Sequence, residues 1–134
     1  MPSRTDTDCS EPKSTAFGIY RRKLDARTSV ISVEGELDLS TAPNLKWMLV
    51  DALQTGSSRL VVDLSLATFM DSTTLGVLVG VTRRLDAGAR LAIVGARPNV
   101  LRIFEFSGLD GAFAIFPTLG EALVGAEGNE AWAS

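Results

Sequence analysis

Apolar positions along this 134-residue chain fall into short runs of two alternating kinds. Phe17–Arg22 and Ser29–Glu34 are rich in β-branched and aromatic residues and flank a charged turn, which predicts an antiparallel strand pair. Thr41–Gln54 places Leu45, Leu49, Ala52 and Leu53 at helical spacing, with Pro43 in the first turn and Gly56 as the stop. RLVVD (Arg59–Asp63) predicts a short buried strand, Ser72 to about Ala87 a helix, and RLAIV (Arg90–Val94) another strand. Pro98 opens a helix that reaches Phe106 and is closed by Gly108. A strand at Phe113–Phe116 then leads into a last helix at Leu119–Val124. Strands alternating with helices predict an α/β fold, one mixed and mainly parallel sheet with helical crossovers.

The ends read differently. Residues 1–15, rich in Ser, Thr, Asp and Pro, are expected to be a disordered N-terminal tail, and residues 125–134 (GAEGNEAWAS) a flexible C-terminal one. One domain, residues 16–124, lies between them, and no internal repeat is visible.

Composition removes several function classes. At 46% hydrophobic and 22% charged residues the chain has enough apolar material to bury a core. A net charge of −3 offers no basic footprint for nucleic acid or an anionic membrane, so a protein or small-molecule partner is expected. The single Cys9 supports neither an internal disulfide nor a cysteine cluster for zinc, which suits a reducing compartment. With no signal-like apolar start and no run long enough to span a membrane, a cytoplasmic location is the expectation. The chain has no histidine, so the usual general base for a serine or cysteine nucleophile and the commonest metal ligand are missing. Neither a P-loop nor a Gly-x-Gly-x-x-Gly turn is present, and no cofactor is implied.

The stretch FMDSTTLGVLVG (Phe69–Gly80) carries the candidate chemistry. Asp71 stands where a helix N-cap belongs, its carboxylate placed to accept the backbone N–H of Thr73 or Thr74. At about 100° per residue, Leu75, Leu78, Val81 and Leu85 gather on one side of the helix, while Ser72, Gly76, Gly80 and Arg83 gather on the other. Ser72 is therefore expected to face outward and Thr74 toward the core. Gly76 and Gly80 each cost about 1 kcal/mol relative to Ala in a helix. Two explanations stand open: close packing against a neighbouring element, or a flat surface for a partner.

These residues resemble a known family. Gly35-Glu36-Leu37-Asp38 before a helix, then RLVVDLS, Phe69-Met70-Asp71-Ser72-Thr73, Leu75-Gly76 and Ser107-Gly108-Leu109 together resemble the bacterial anti-sigma factor antagonists of the STAS-domain family. The resemblance runs from about Phe17 to Val124. It implies a partner-switching protein, not an enzyme: the unphosphorylated antagonist binds an anti-sigma factor with serine kinase activity and so frees a sigma factor. The kinase then phosphorylates the serine after the motif aspartate, Ser72 here, and a metal-dependent serine phosphatase restores the binding form. The resemblance also places Asp38 in the loop beside that serine. The implied partner-binding set is Asp38, Ser40, Thr41, Asp71, Ser72, Thr73, Gly76 and Gly80. Many members carry Gly where Thr74 stands, a departure in this chain.

Two other readings remain at this level. One is a STAS module that is never phosphorylated and serves as a scaffold or sensor. The other is an enzyme, either a hydrolase using Ser72 or an aspartyl-phosphate receiver. The missing histidine opposes the hydrolase, and the receiver's acidic pair and lysine are not found.

Overall fold

The computed structural model describes residues 17–85, 89–108, 110–127 and 132–133. The expected N-terminal tail and Cys9 lie outside these residues.

Two strands open the fold, β1 (Gly18–Lys23) and β2 (Thr28–Leu37), paired antiparallel from Gly18↔Glu34 to Lys23↔Ser29. Helix α1 (Ala42–Gln54) leads to β3 (Arg59–Met70), α2 (Ser72–Thr82) to β4 (Ala89–Val94), and α3 (Pro98–Ser107) to β5 (Phe113–Phe116). A last helix, α4 (Leu119–Glu127), extends beyond the Val124 end expected for it. Trp132–Ala133 form β6, antiparallel to the start of β4, inside the segment expected to be a flexible tail. The sheet order is β1-β2-β3-β4-β5, with β2, β3, β4 and β5 mutually parallel. This is the α/β architecture expected from the alternation of elements.

Two layers of core hold the sheet. Ile31, Val33, Leu37, Leu60, Val62 and Leu64 point to one face and pack against Leu45 and Leu49 of α1, Leu75 and Leu78 of α2, and Val100 and Phe104 of α3. Phe104 and Phe113 meet edge to face, their ring centroids 5.2 Å apart. On the opposite face Val30, Val61, Ala92, Val94 and Ala114 form a smaller cluster with Ala122 of α4.

Two further boundaries differ from expectation, each for a local reason. Strand β3 runs on from Asp63 to Met70 because β2 continues to Leu37 beside it and supplies the hydrogen-bond ladder that the polar residues of LSLATFM conceal in sequence. Helix α2 ends at Thr82, short of Ala87: the Arg84 N–H bonds back to the Val81 carbonyl and that of Leu85 to the Thr82 carbonyl, both three-residue steps. Gly56 does end α1, with a φ of 111°.

Candidate site at the start of helix α2

Cross-strand register builds the site. Leu37 and Met70 are the last paired residues of β2 and β3, and the Asp71 N–H donates to the Leu37 carbonyl at 3.0 Å. The residues that follow, the Asp38–Thr41 loop and the first turn of α2, are thereby held side by side at one end of the sheet.

The loop is braced from within. Asp38 Oδ1 accepts the Ser40 hydroxyl at 2.7 Å, the Ser40 N–H at 2.9 Å and the Thr41 N–H at 3.2 Å. Thr41 Oγ1 accepts the Asp38 N–H and donates to the Glu36 carbonyl, both at 2.9 Å. Thr41, half-buried and the N-cap residue of α1, therefore works on the loop itself, while Ser40 is exposed. Leu39, at the tip, is 72% exposed and was no part of the expected binding set. A leucine between two loop-forming polar residues is the signal that points to it.

The Ser40 hydroxyl, followed by the backbone N–H groups of Ser40 and Thr41, holds the Asp38 carboxyl below its usual range against a smaller opposing desolvation. A depressed folded-state pKa contributes stability that is present above the unfolded value of about 3.9 and is lost as pH falls through the folded one. Ser40→Ala is expected to move the Asp38 titration upward, toward that of a free aspartate, as followed by carboxyl-carbon NMR. An unmoved midpoint would show that the hydroxyl does not hold the charge.

Helix α2 starts on a satisfied cap. Asp71 is extended (φ −105°, ψ 177°), and its Oδ1 accepts the Thr74 N–H at 3.1 Å, as its position in the sequence predicts. Thr74 is fully buried, and its hydroxyl lies 3.4 Å from the same oxygen, so this residue turns inward and lends the cap a second contact. Asp71→Ala is expected to lower unfolding free energy by about 1 kcal/mol, and Asp71→Asn, which keeps a capping oxygen, by well under that. Denaturant melts of the two variants measure the difference; equal losses would show that the charge, not the cap, is what α2 requires.

Ser72 and Thr73 are exposed, and among the described residues neither hydroxyl is bonded. Gly76, Gly80 and Arg83 follow along the same exposed stripe, with Leu75, Leu78 and Val81 buried behind them. Among the described residues, a Cβ built on Gly76 or Gly80 meets no atom within 4 Å. Packing against a neighbouring element among those residues therefore does not account for the two glycines. Gly80 lies about 12 Å from Ser72 along the axis at 1.5 Å per residue.

Among the described residues no group of three or more His, Cys, Asp or Glu is arranged to hold a metal, and no helix is long and apolar enough to cross a membrane.

The STAS domain family profile matches residues 21–122. Over 101 residues the chain is 31% identical to the anti-sigma-F factor antagonist RsfB of Mycobacterium tuberculosis, covering 75% of this chain and 83% of that protein. The crystal structure of an anti-sigma factor antagonist from Mycobacterium paratuberculosis is similar with a TM-score of 0.74 at 31% identity, covering 81% of this chain and 92% of the other. The anti-sigma factor antagonist SpoIIAA in its unphosphorylated form gives a TM-score of 0.72 at 27% identity, with 84% and 98% covered; the phosphorylated form of SpoIIAA from Bacillus gives 0.63 at 26%, with 80% and 97%. The chain belongs to the STAS-domain family of anti-sigma factor antagonists.

Proposed function

We propose that this protein is a partner-switching regulator: unphosphorylated, it binds an anti-sigma factor with serine kinase activity and displaces the sigma factor, and phosphorylation of Ser72 releases it. A serine phosphatase resets the cycle. The observation that carries this reading is the exposed Ser72 hydroxyl, unbonded among the described residues, at the head of a Gly76–Gly80 stripe that no described side chain fills. SpoIIAA, a relative of the same fold, has been solved in an unphosphorylated and a phosphorylated form.

Physical chemistry gives the switch its sign. A phosphate on Ser72 adds about −1.5 to −2 charges to the first turn of α2, where the helix dipole favours an anion by roughly 0.3 to 2 kcal/mol, so the fold tolerates it. At a closed interface the same group, beside Asp38 and Asp71, has to be desolvated and is repelled by any acidic residue of the partner. Release without unfolding is the result.

Incubation with ATP and the cognate anti-sigma kinase, followed by phosphopeptide mapping, tests the assignment. Label on Ser72 alone is the expected outcome. Label on Thr73, its exposed neighbour, overturns the choice of residue, and no label at all favours an unphosphorylated scaffold or sensor.

A further inference from the structure

The sheet carries a second exposed surface, on the face turned away from α2. Along β2, Ile31, Val33 and Leu37 point into the main core, so Ser32, Glu34 and Glu36 point to the other face. Their partners in β3 are Asp63, Leu66 and Phe69. The offset between paired residues grows along the strands: 63 − 32 = 31, 66 − 34 = 32 and 69 − 36 = 33. Two extra residues have therefore entered β3 as bulges.

Each bulge turns one large apolar side chain outward. Leu64 is buried in the main core, and strict alternation would send Leu66 to the same side. The inserted residue before it sends Leu66 to the opposite face instead, 55% exposed. Ala67 is likewise in the core, and the second insertion sends Phe69 outward, 45% exposed. Tyr20 of β1, 58% exposed, joins them, its hydroxyl donating to Glu34 Oε1 at 3.1 Å. Helix α4 packs on β4 and β5, and among the described residues no helix is seen packing over this corner of the sheet.

Charge selects what fits there. Glu34 and Glu36 are exposed, and among the described residues neither is paired with a cation. Arg22, the cation on that face of β1, stands opposite Val30, four residues down β2 from Glu34. Two copies meeting patch to patch would oppose Glu34 and Glu36 with their like. The segment before Phe17 is a poor match too, with Asp6, Asp8 and Glu11 against Arg4 and Lys13. An anionic membrane is repelled for the same reason.

We propose that Tyr20, Glu34, Glu36, Leu66 and Phe69 form a second docking surface for a basic, apolar segment of a partner protein. It lies on the face of the sheet opposite the Ser72 helix and is independent of the phosphorylation switch. Exposed apolar patches rimmed by polar residues mark interaction sites.

The full chain, isotopically labelled for amide NMR, is titrated with a short synthetic peptide alternating lysine and isoleucine, and with its glutamate counterpart. The lysine peptide is expected to shift the amides of Glu34, Glu36, Leu66 and Phe69. Its affinity should fall about tenfold in the Glu34→Lys/Glu36→Lys double variant, fall also in Leu66→Ser, and hold in Ser72→Glu. Shifts confined to the first turn of α2, equal binding of the glutamate peptide, or no shifts overturn the proposal. Concentration-dependent shifts at the patch without peptide would assign the surface to a second copy and overturn it as well. Loss of peptide binding in Ser72→Glu would refute the independence of the two surfaces, and a failed phosphorylation assay leaves this test untouched.

Discussion

Gly80→Arg is expected to abolish binding to the anti-sigma partner and to leave the domain as stable as before, or slightly more so. The backbone at Gly80 is helical and needs no positive φ, and no atom of the described residues lies within 4 Å of a Cβ there, so an arginine side chain enters without a clash with them. Arg is also the better helix former, by about 0.5–1 kcal/mol. The same side chain standing on a flat interface holds the partner off by several ångströms, enough to open the contact. Binding and stability should therefore move apart, which a thermal melt beside a binding titration would reveal. Normal binding by Gly80→Arg removes the α2 stripe from the interface.

Ser72 separates charge from bulk. Ser72→Ala leaves a small neutral surface and is expected to lock the protein in its binding form, insensitive to the kinase. Ser72→Glu puts a carboxylate near the position of the phosphate and is expected to weaken binding, though less than phosphoserine does, because it carries less charge and fewer acceptor oxygens. Every 1.4 kcal/mol of added repulsion is about a tenfold loss. If Gly80→Arg binds normally while Ser72→Glu fails, the contact is centred on the Asp38–Thr41 loop. If both bind like the unaltered protein, this surface is not where the partner docks.

What the sequence disclosed follows from which signals are local. Periodicity placed Ser72, Gly76, Gly80 and Arg83 on one exposed side and turned Thr74 inward, because a helix writes its faces into its own spacing. The cap at Asp71 was equally legible, since capping needs only a carboxylate three residues ahead of an amide. The upper half of β3 was not. Its two bulges break alternation and exist only because β2 runs beside it, so Leu66 and Phe69 gave no sign in sequence of facing outward. Nor did sequence distinguish the roles of Ser40 and Thr41; only the hydrogen bonds show the Thr41 hydroxyl committed to the loop. For the two glycines, the space around them among the described residues is what the structure adds, and a sequence does not record it.

Titration calorimetry of the cognate anti-sigma factor with the full chain, before and after stoichiometric phosphorylation of Ser72, addresses the central claim most directly, with a thermal melt of both forms run alongside. The account predicts that phosphorylation weakens binding by about a hundredfold or more, equivalent to roughly 2.8 kcal/mol, while the folded domain persists. Equal affinity of the two forms would contradict it, and so would a loss of binding that tracks unfolding of the phosphorylated domain.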